Sequence, residues 1–394
     1  MRRDKAMRYL KAACGLLCFL VLASNVWSMS RWSETRGVYD DICYLRQAHL
    51  FQRFGLNGLD TNLARDDDHF MASKLKQIGF PTWSDPSNFP CHTTMPAANK
   101  RVLQYPPGTG FVLALFPQGF QLIPMYVLAT VISFGFALIG IFYARSTPSI
   151  LVATAFGCLA IYLMINPAKS SYSVAPTMAA CALAGFLTAK LFGAKARLHR
   201  LLLVALTGLV IGIAVNFRLP NLLLSAGYLL FFFVSLLWHR KIETLLEGGL
   251  FGVAFLAGMA PTLAANAINA GSPFATTYGS DDVKPAQFSL GIIRGYLADM
   301  QSVLLLLAIA GTAALLLVAG RGSGARQVAL VTAGNLAVNL AFFLSHPVVT
   351  PYYTIPIAML SMWSLLFAWL TQPAEAVDGV GPGRRQAPDH GMEC

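Results

Sequence analysis

The chain has 394 residues, of which 56% are hydrophobic and only 12% are charged. Soluble domains have about a quarter of their residues charged, so this composition excludes an ordinary soluble protein and indicates a protein with several membrane spans. The net charge is +11. Because the basic residues cluster at the ends of apolar runs, the charge is typical of membrane topology signals and does not indicate a nucleic-acid partner.

The apolar runs favour spanning helices over a barrel, whose strands would alternate in character, and they predict ten spans. The first run follows Arg2, Arg3, Lys5 and Arg8 and ends near Met29. It fits either a cleaved signal peptide or a retained anchor, and both export the residues that follow. The other nine spans are predicted at residues 122–145, 149–165, 174–192, 201–217, 219–238, 245–268, 300–320, 327–344 and 352–370.

The predicted fold is therefore an all-α integral membrane protein, with a single membrane domain over residues 1–371. A polar first loop covers residues 30–108 and is predicted to contain an interfacial helix at 46–54. Residues 109–120 are predicted to form a second interfacial helix, because so short a segment cannot cross about 30 Å of hydrocarbon. Residues 372–394 are rich in Gly, Pro and charge and are predicted to be a disordered cytoplasmic tail.

Ten spans place both termini on the same side, and basic residues indicate that this side is the cytoplasm. The predicted cytoplasmic segments contain Arg145, Lys190, Lys195, Arg197, Arg200, Arg240, Lys241, Arg321, Arg326, Arg384 and Arg385. The shorter external loops contain only Lys169, Arg218, Lys284 and Arg294. We therefore expect both termini in the cytoplasm and the long first loop on the external face. The expected location is a bacterial inner membrane, with that loop in the periplasm.

Carboxylates and cysteines of the first loop are the first candidates for chemistry. Asp40 and Asp41 follow the first span, where they could accept a proton or cap an interfacial helix. Cys43 and Cys91 could form a disulfide if this side is oxidising, and the sequence leaves that open. The acidic run at residues 66–68 is more typical of a solvated turn than of a metal site, although three such oxygens could hold a hard cation.

Further polar and aromatic residues are predicted on the same external face. They are Lys100, Arg101, Tyr105, Pro106, Pro107, Lys169, Arg218 and Tyr278. Taken singly, the two prolines could simply begin a helix, and Lys169 and Arg218 could be snorkelling residues at span ends. Together, cations that could hold a phosphate and a carboxylate that could act as a base suit an anionic lipid substrate.

The order of these segments resembles the GT-C superfamily of membrane glycosyltransferases, notably the dolichyl-phosphate-mannose mannosyltransferase, aminoarabinose transferase and RgtA/B/C/D-like groups. The resemblance extends from Arg8 to about Leu290 and more loosely from His346 to Leu370. The similar motifs are Asp40 and Asp41 with Tyr44, Tyr105 to Gly108, residues 208–214 leading to Arg218, and residues 269–274 leading to Tyr278. Two departures are Asp41, where Glu is commoner, and Gln104 with Tyr105, where some members have Lys before the two prolines.

The resemblance implies transfer of a sugar from a polyprenyl-phosphate carrier to an acceptor hydroxyl on a glycan, lipid or protein. Asp40 would be the general base, with Asp41 as the alternate, and Arg218 with Lys100 or Arg101 would neutralise the leaving phosphate. No cofactor is implied beyond this donor substrate, and composition leaves a divalent metal open. The alternatives are a transporter or lipid flippase, for which charges inside spans are typical, and a non-catalytic assembly protein of the same fold.

Overall fold

The protein is an assembly of helices with one short β-hairpin, so the all-α membrane architecture is confirmed. The computed structural model describes residues 2–34, 41–165, 171–279, 285–320, 322–346 and 349–371, and the predicted tail lies outside them. The α-helices are α1 (Arg2–Met29), α2 (Asp41–Phe54), α3 (Phe70–Gln77), α4 (Gly108–Ala114), α5 (Leu122–Tyr143), α6 (Thr147–Leu163), α7 (Val174–Gly193), α8 (Arg197–Phe217), α9 (Ala226–His239), α10 (Ile242–Gly258), α11 (Ala260–Ala270), α12 (Leu290–Ala298), α13 (Ser302–Val318), α14 (Gly324–Ser345) and α15 (Ile355–Leu370). The antiparallel strands are β1 (His92–Met95) and β2 (Lys100–Leu103), with His92 opposite Leu103.

Six helical segments in the described residues are long and apolar enough to cross a membrane. They are Asp4–Met29, Leu122–Tyr143, Val174–Gly193, Arg197–Phe217, Leu219–His239 and Gly324–Ser345. Two bent pairs raise the number to eight if each is one span: α10 with α11, bent by 54°, and α12 with α13, bent by 93°. The apolar helices α6 and α15 are shorter, at 17 and 16 residues. The chain is thus membrane-embedded, while the count of ten spans stays a prediction.

Local sequence explains where two of these helices begin. α5 begins at Leu122, and the Glu34 carboxylate accepts hydrogen bonds from the backbone N–H groups of Gln121 and Leu122, at 2.7 and 3.1 Å. A carboxylate is favourable there because the first N–H groups of a helix have no partner within the helix. α11 begins after a bend at Met259, just before Pro261, since proline removes a backbone hydrogen bond and clashes with the preceding turn.

The centre of the bundle is formed by α7 and α15. In Val174–Gly193, 78% of the most apolar window is buried, against 28% in the first span and in Leu219–His239. Trp363 of α15 is fully buried and packs closely on Gly185 of α7. A Cβ added to Gly185 would lie only 2.5 Å from the Cβ of Trp363. Although α15 is short, it is therefore a central helix, while α1 and α9 present most of their apolar side chains outward.

The first loop is a folded layer at one end of the bundle. Ten of the 14 residues of α2 are buried, so this helix is covered by protein and does not lie bare at the membrane interface. The predicted second interfacial helix ends early, at Ala114. The Gln52 side chain joins the two helices, because its Nε2 donates to the carbonyl oxygens of Ala114 and Phe116 at 3.2 and 2.7 Å.

A fully buried arginine holds the layer together. Arg46 Nη1 and Nη2 donate to the carbonyl oxygens of Thr61 and Asn62 at 3.0 and 3.1 Å, and Nε lies 3.5 Å from Asp66 Oδ1. Its Nη1 also lies 3.3 Å from His92 Nε2, and burial together with the Arg46 charge lowers the pKa of His92 to about 3. His92 is therefore neutral, so its Nε2 accepts from Arg46 while Nδ1 donates to the Pro90 carbonyl oxygen at 2.7 Å.

A disulfide joins Cys43 of α2 to Cys91 beside the hairpin, across a sequence separation of 48. We expect unreduced, unfolded protein to accept two fewer thiol labels than reduced protein, as read by intact mass. Cys91→Ala should abolish this difference and lower the stability of the protein by about 2–4 kcal/mol, because the bridge closes a long segment in the unfolded chain. The matched control is Cys181→Ala, a buried free cysteine, which should leave the difference intact. Equal labelling of reduced and unreduced wild-type protein would contradict the bridge.

Candidate functional site

Charged and aromatic side chains converge where the first loop meets the ends of the helices. We call Asp41, Tyr44, Arg218, Tyr352 and Tyr353 the acid–arginine cluster. Burial is the main cause that raises the pKa of Tyr44 to about 12; the Arg218 charge opposes this rise, and the Asp41 charge adds to it. Arg218 also contacts the rings of Tyr352 and Tyr353. The predicted acid and the predicted arginine therefore lie in one buried group.

Asp41 begins α2 and is fully buried. Its Oδ1 accepts hydrogen bonds from Ser171 Oγ at 3.1 Å and from the backbone N–H of Tyr172 at 2.9 Å. The Tyr172 hydroxyl in turn donates to the Glu34 carbonyl oxygen at 3.0 Å. These contacts fix α2 against the segment that leads into α7, so Asp41 is held in one orientation within the cluster.

Arg218 follows α8 directly, in extended backbone before a 3-10 helix at Leu219–Ser225. Arg218 is 8% exposed, and its guanidinium lies against two neighbouring rings, with Cζ 4.8 Å from the Tyr352 centroid and 4.4 Å from that of Tyr353. The Nη1 atom is buried and has no hydrogen-bond partner among the described residues. Because a buried guanidinium N–H group without an acceptor is costly, this atom is suited to bind an anion that enters the cluster.

The proline pair lies beside the arginine. Pro106 and Pro107 are buried, and the residues after them press on the end of α8. The Thr109 hydroxyl donates to the Phe217 carbonyl oxygen at 3.1 Å, and a Cβ on Gly108 would lie 2.7 Å from the Asn216 carbonyl oxygen. Glycine is needed at 108 for this close approach, which sets the start of α4 against the residues that carry Arg218.

Three tyrosines connect the cluster to the surface of the first loop. Tyr44 stacks on Tyr105 with ring centroids 4.8 Å apart, and Tyr105 lies 6.5 Å from Tyr278 in a tilted arrangement. The loop that carries Tyr278 is fixed to the chain before the prolines, since Thr277 Oγ1 donates to the Gln104 carbonyl oxygen at 2.8 Å. Stacked aromatic faces of this kind are typical surfaces for a sugar ring or another flat apolar face.

An apolar cavity of about 270 Å³ lies between α4, α5, α7 and α8. Its lining runs from Phe217, immediately before Arg218, to Val112 of α4 and Ile132 and Phe136 of α5. Almost all of its lining atoms are carbon. The cavity is therefore suited to a hydrocarbon chain whose charged end would lie near Arg218.

Lys100 and Arg101, the other predicted phosphate cations, belong to the hairpin and have different neighbours. Lys100 Nζ pairs with Asp60 Oδ2 at 3.1 Å and donates to the Ile268 carbonyl oxygen at 3.2 Å, which joins the first loop to α11. Arg101 acts electrostatically on Asp85 and His92. Neither cation has a described contact with the acid–arginine cluster, so Arg218 is the cation that the structure places there. Asp40 and Lys169 lie outside the described residues.

The remaining candidate metal ligands are engaged with one another or with basic side chains. The sulfur atoms of Cys43 and Cys91 lie near His92, but both belong to the disulfide. In the acidic run, Asp66 pairs with Arg46, Asp67 lies 2.6 Å from Arg53, and Asp68 lies 2.6 Å from His49. This run therefore closes ion pairs between loop segments.

Four residues of the site were not among those predicted from the sequence. Tyr352 and Tyr353 begin the predicted last span, and Ser171 and Tyr172 follow shortly after Lys169 in the sequence. One sequence signal could have found both pairs: each is a pair of polar or aromatic residues at the end of an apolar run on the predicted external face. No protein-family model, curated protein or solved structure matches the chain.

Proposed function

We propose that the protein is an integral-membrane glycosyltransferase of the GT-C type, which transfers a sugar from a polyprenyl-phosphate carrier to an acceptor hydroxyl on the periplasmic face of a bacterial inner membrane. The acceptor oxygen would bond to the anomeric carbon as the bond from that carbon to the phosphate oxygen breaks. The hydroxyl proton would pass to a carboxylate, and the carrier would leave as polyprenyl phosphate. The reaction needs no further co-reactant.

The observation that carries the proposal is the state of Arg218. Its guanidinium is buried against the rings of Tyr352 and Tyr353, it lies in the same cluster as Asp41, and its Nη1 has no hydrogen-bond partner among the described residues. Negative charge grows on the phosphate oxygen as the sugar departs, and a preorganised cation stabilises that charge more in the transition state than in the ground state. Arg218 is suited to that role.

The apolar cavity supports a lipid carrier. Its lining includes Phe217, the residue immediately before Arg218, and it lies between helices that are predicted to lie within the membrane. A prenyl chain in this cavity would place its phosphate near Arg218 and its sugar toward Tyr105 and Tyr278. The tyrosines would then hold the sugar ring by stacking, and the first loop would cover it from water.

The acidic pair supplies the proposed base. Asp41 is oriented by Ser171 and Tyr172, and these bonds to Oδ1 suit a positioning role. We therefore keep Asp40, its neighbour in the sequence, as the proposed general base and Asp41 as the alternate. The disulfide between Cys43 and Cys91 agrees with a first loop on the oxidising side of the membrane, since such bridges persist in the periplasm and are rare in the cytosol.

The test is to compare lipid-linked sugars in cells with and without the protein. We expect loss of the protein to cause one polyprenyl-phosphate sugar to accumulate and one glycan to lose a sugar residue. Purified protein in detergent should convert that same lipid to polyprenyl phosphate when an acceptor extract is present. Movement of a labelled lipid across vesicles without cleavage of its sugar bond would identify a flippase instead, and unchanged lipid-linked sugars in the deletion strain would contradict both functions.

A further inference from the structure

A second cavity lies at the opposite end of the bundle from Arg218. It has a volume of about 590 Å³ and is bounded by the first turns of α8, α10 and α14 and the last turns of α9. α8 has 21 residues and is therefore about 31 Å long, which separates this cavity from the acid–arginine cluster by roughly the thickness of a membrane. We call it the basic cavity, and it is independent of the proposed transfer site.

Cations outnumber carboxylates in the lining of the basic cavity. The cations are Lys195, Arg197, Arg200, Lys241 and Arg326, and the carboxylates are Glu243 and Glu247. Only one pair is formed between the two sets: Arg200 Nε and Nη2 bind the Glu247 carboxylate at 2.6 and 2.9 Å. Lys195, Arg197 and Lys241 are exposed and form no ion pair among the described residues. The cavity therefore has an excess of positive charge that is available to a ligand.

The surrounding backbone adds to this positive potential. α8, α10 and α14 all begin at the cavity, at Arg197, Ile242 and Gly324. The first N–H groups of a helix lack partners within the helix and carry its positive dipole end, so helix N-termini attract anions. The helix N-termini and the basic side chains thus both favour a negatively charged ligand.

Part of the cavity wall is apolar and continues onto the outer surface of the bundle. Phe231, Phe232 and Leu201 line its interior, while Leu246 and Leu330 line it and are also 49% and 47% exposed. Trp238, one residue before the lining residue His239, is 82% exposed, and tryptophan is enriched at the depth of lipid headgroups. A ligand that fits both features carries an anionic head and an apolar tail.

We propose that the basic cavity binds an anionic phospholipid of the adjacent leaflet, with its phosphate among Lys195, Arg197 and Lys241 and its acyl chains along Leu246 and Leu330. Basic residues between helix ends on the cytoplasmic side are suited to such headgroups. The lipid would bind between α8, α10 and α14, at the end of the bundle where cations outnumber carboxylates.

The test is native mass spectrometry of the full chain, titrated with phosphatidylglycerol, cardiolipin or phosphatidylcholine. We expect the anionic lipids to bind more tightly than phosphatidylcholine. The triple variant Lys195→Gln, Arg197→Gln, Lys241→Gln should raise their dissociation constants about 100-fold, since each basic residue near an anionic lipid contributes roughly a factor of five. Ser235→Trp, which fills the cavity without a change of charge, should weaken binding independently.

The matched control is the triple variant Lys5→Gln, Arg8→Gln, Arg145→Gln, which removes three exposed cations outside the cavity. It should bind the anionic lipids within twofold of the wild type. Equal affinity for anionic and zwitterionic lipids, or an equal loss in the control variant, would overturn the proposal. The proposal would also be overturned if millimolar inorganic phosphate displaced the lipid and bound as tightly as the lipid does, because the ligand would then be a soluble anion.

Discussion

Arg218→Gln is expected to lower the rate of sugar transfer by about 10²- to 10³-fold, the cost of removing one preorganised donor from a developing negative charge. Glutamine keeps hydrogen-bonding capacity but has no charge, so the loss should appear in kcat more than in KM. Arg218→Lys should retain more activity than Arg218→Gln because it keeps the charge, although it loses the planar guanidinium that lies against Tyr352 and Tyr353. The measurement is conversion of the accumulated lipid-linked sugar by purified protein.

The control for this substitution is Arg294→Gln, which removes an exposed cation of α12 that is predicted on the same membrane face. It should leave turnover unchanged. Thermal unfolding of each variant separates loss of chemistry from loss of fold, since Arg218 is also packed against aromatic rings. An Arg218→Gln protein that is folded and turns over at a near-normal rate would remove the phosphate-binding role from the proposal.

Asp40→Asn is expected to abolish detectable transfer, with a loss of about 10²- to 10⁴-fold, which is the range for removal of a general base. Expression and thermal stability should stay close to those of the wild type. Asp41→Asn should cost less, because the asparagine Oδ1 can still accept the hydrogen bonds from Ser171 and the Tyr172 backbone. Asp41→Ala removes that acceptor, so it should lower the melting temperature as well as the rate.

The asparagine variants of Asp40 and Asp41 therefore serve as matched controls for each other in the same turnover assay. A larger loss in Asp41→Asn than in Asp40→Asn would assign the base to Asp41. Near-normal turnover in both asparagine variants would refute proton transfer by this pair and favour a transporter or a non-catalytic protein. The rate measured at several pH values adds a check, since a carboxylate base gives activity that falls as the pH is lowered through its pKa.

Apolar runs in the sequence predict the helices well because a spanning helix needs about 20 apolar residues, whatever it packs against. α5 begins at Leu122 and α7 at Val174, as predicted. The break between α10 and α11 was missed, although Pro261 is a local signal for it. α13 lies within the span predicted at residues 300–320, whereas α12, which turns from it by 93°, was assigned to an external loop.

The acid–arginine cluster was predictable in part, because some of its residues flank apolar runs. Asp41, Pro106 and Arg218 lie at the ends of apolar runs on one predicted face, and the structure brings their surroundings together. Arg46 was interpreted as a polar residue of an interfacial helix, yet it is fully buried, because its partners Thr61, Asp66 and His92 are distant in the sequence. The same holds for Lys100. The sequence shows that a cation is present, but it does not show that this cation pairs with Asp60.

The disulfide has a consequence for how the protein is made. Cys43 and Cys91 both precede Leu122, so both sulfur atoms emerge from the ribosome before any helix of the bundle after α1. The covalent closure of the first loop therefore requires only export of the nascent chain and an oxidant on the far side. If oxidation is delayed until synthesis ends, the two sulfur atoms would meet in a loop that α11 already contacts, because Asn269 Oδ1 accepts a hydrogen bond from the backbone N–H of Thr61.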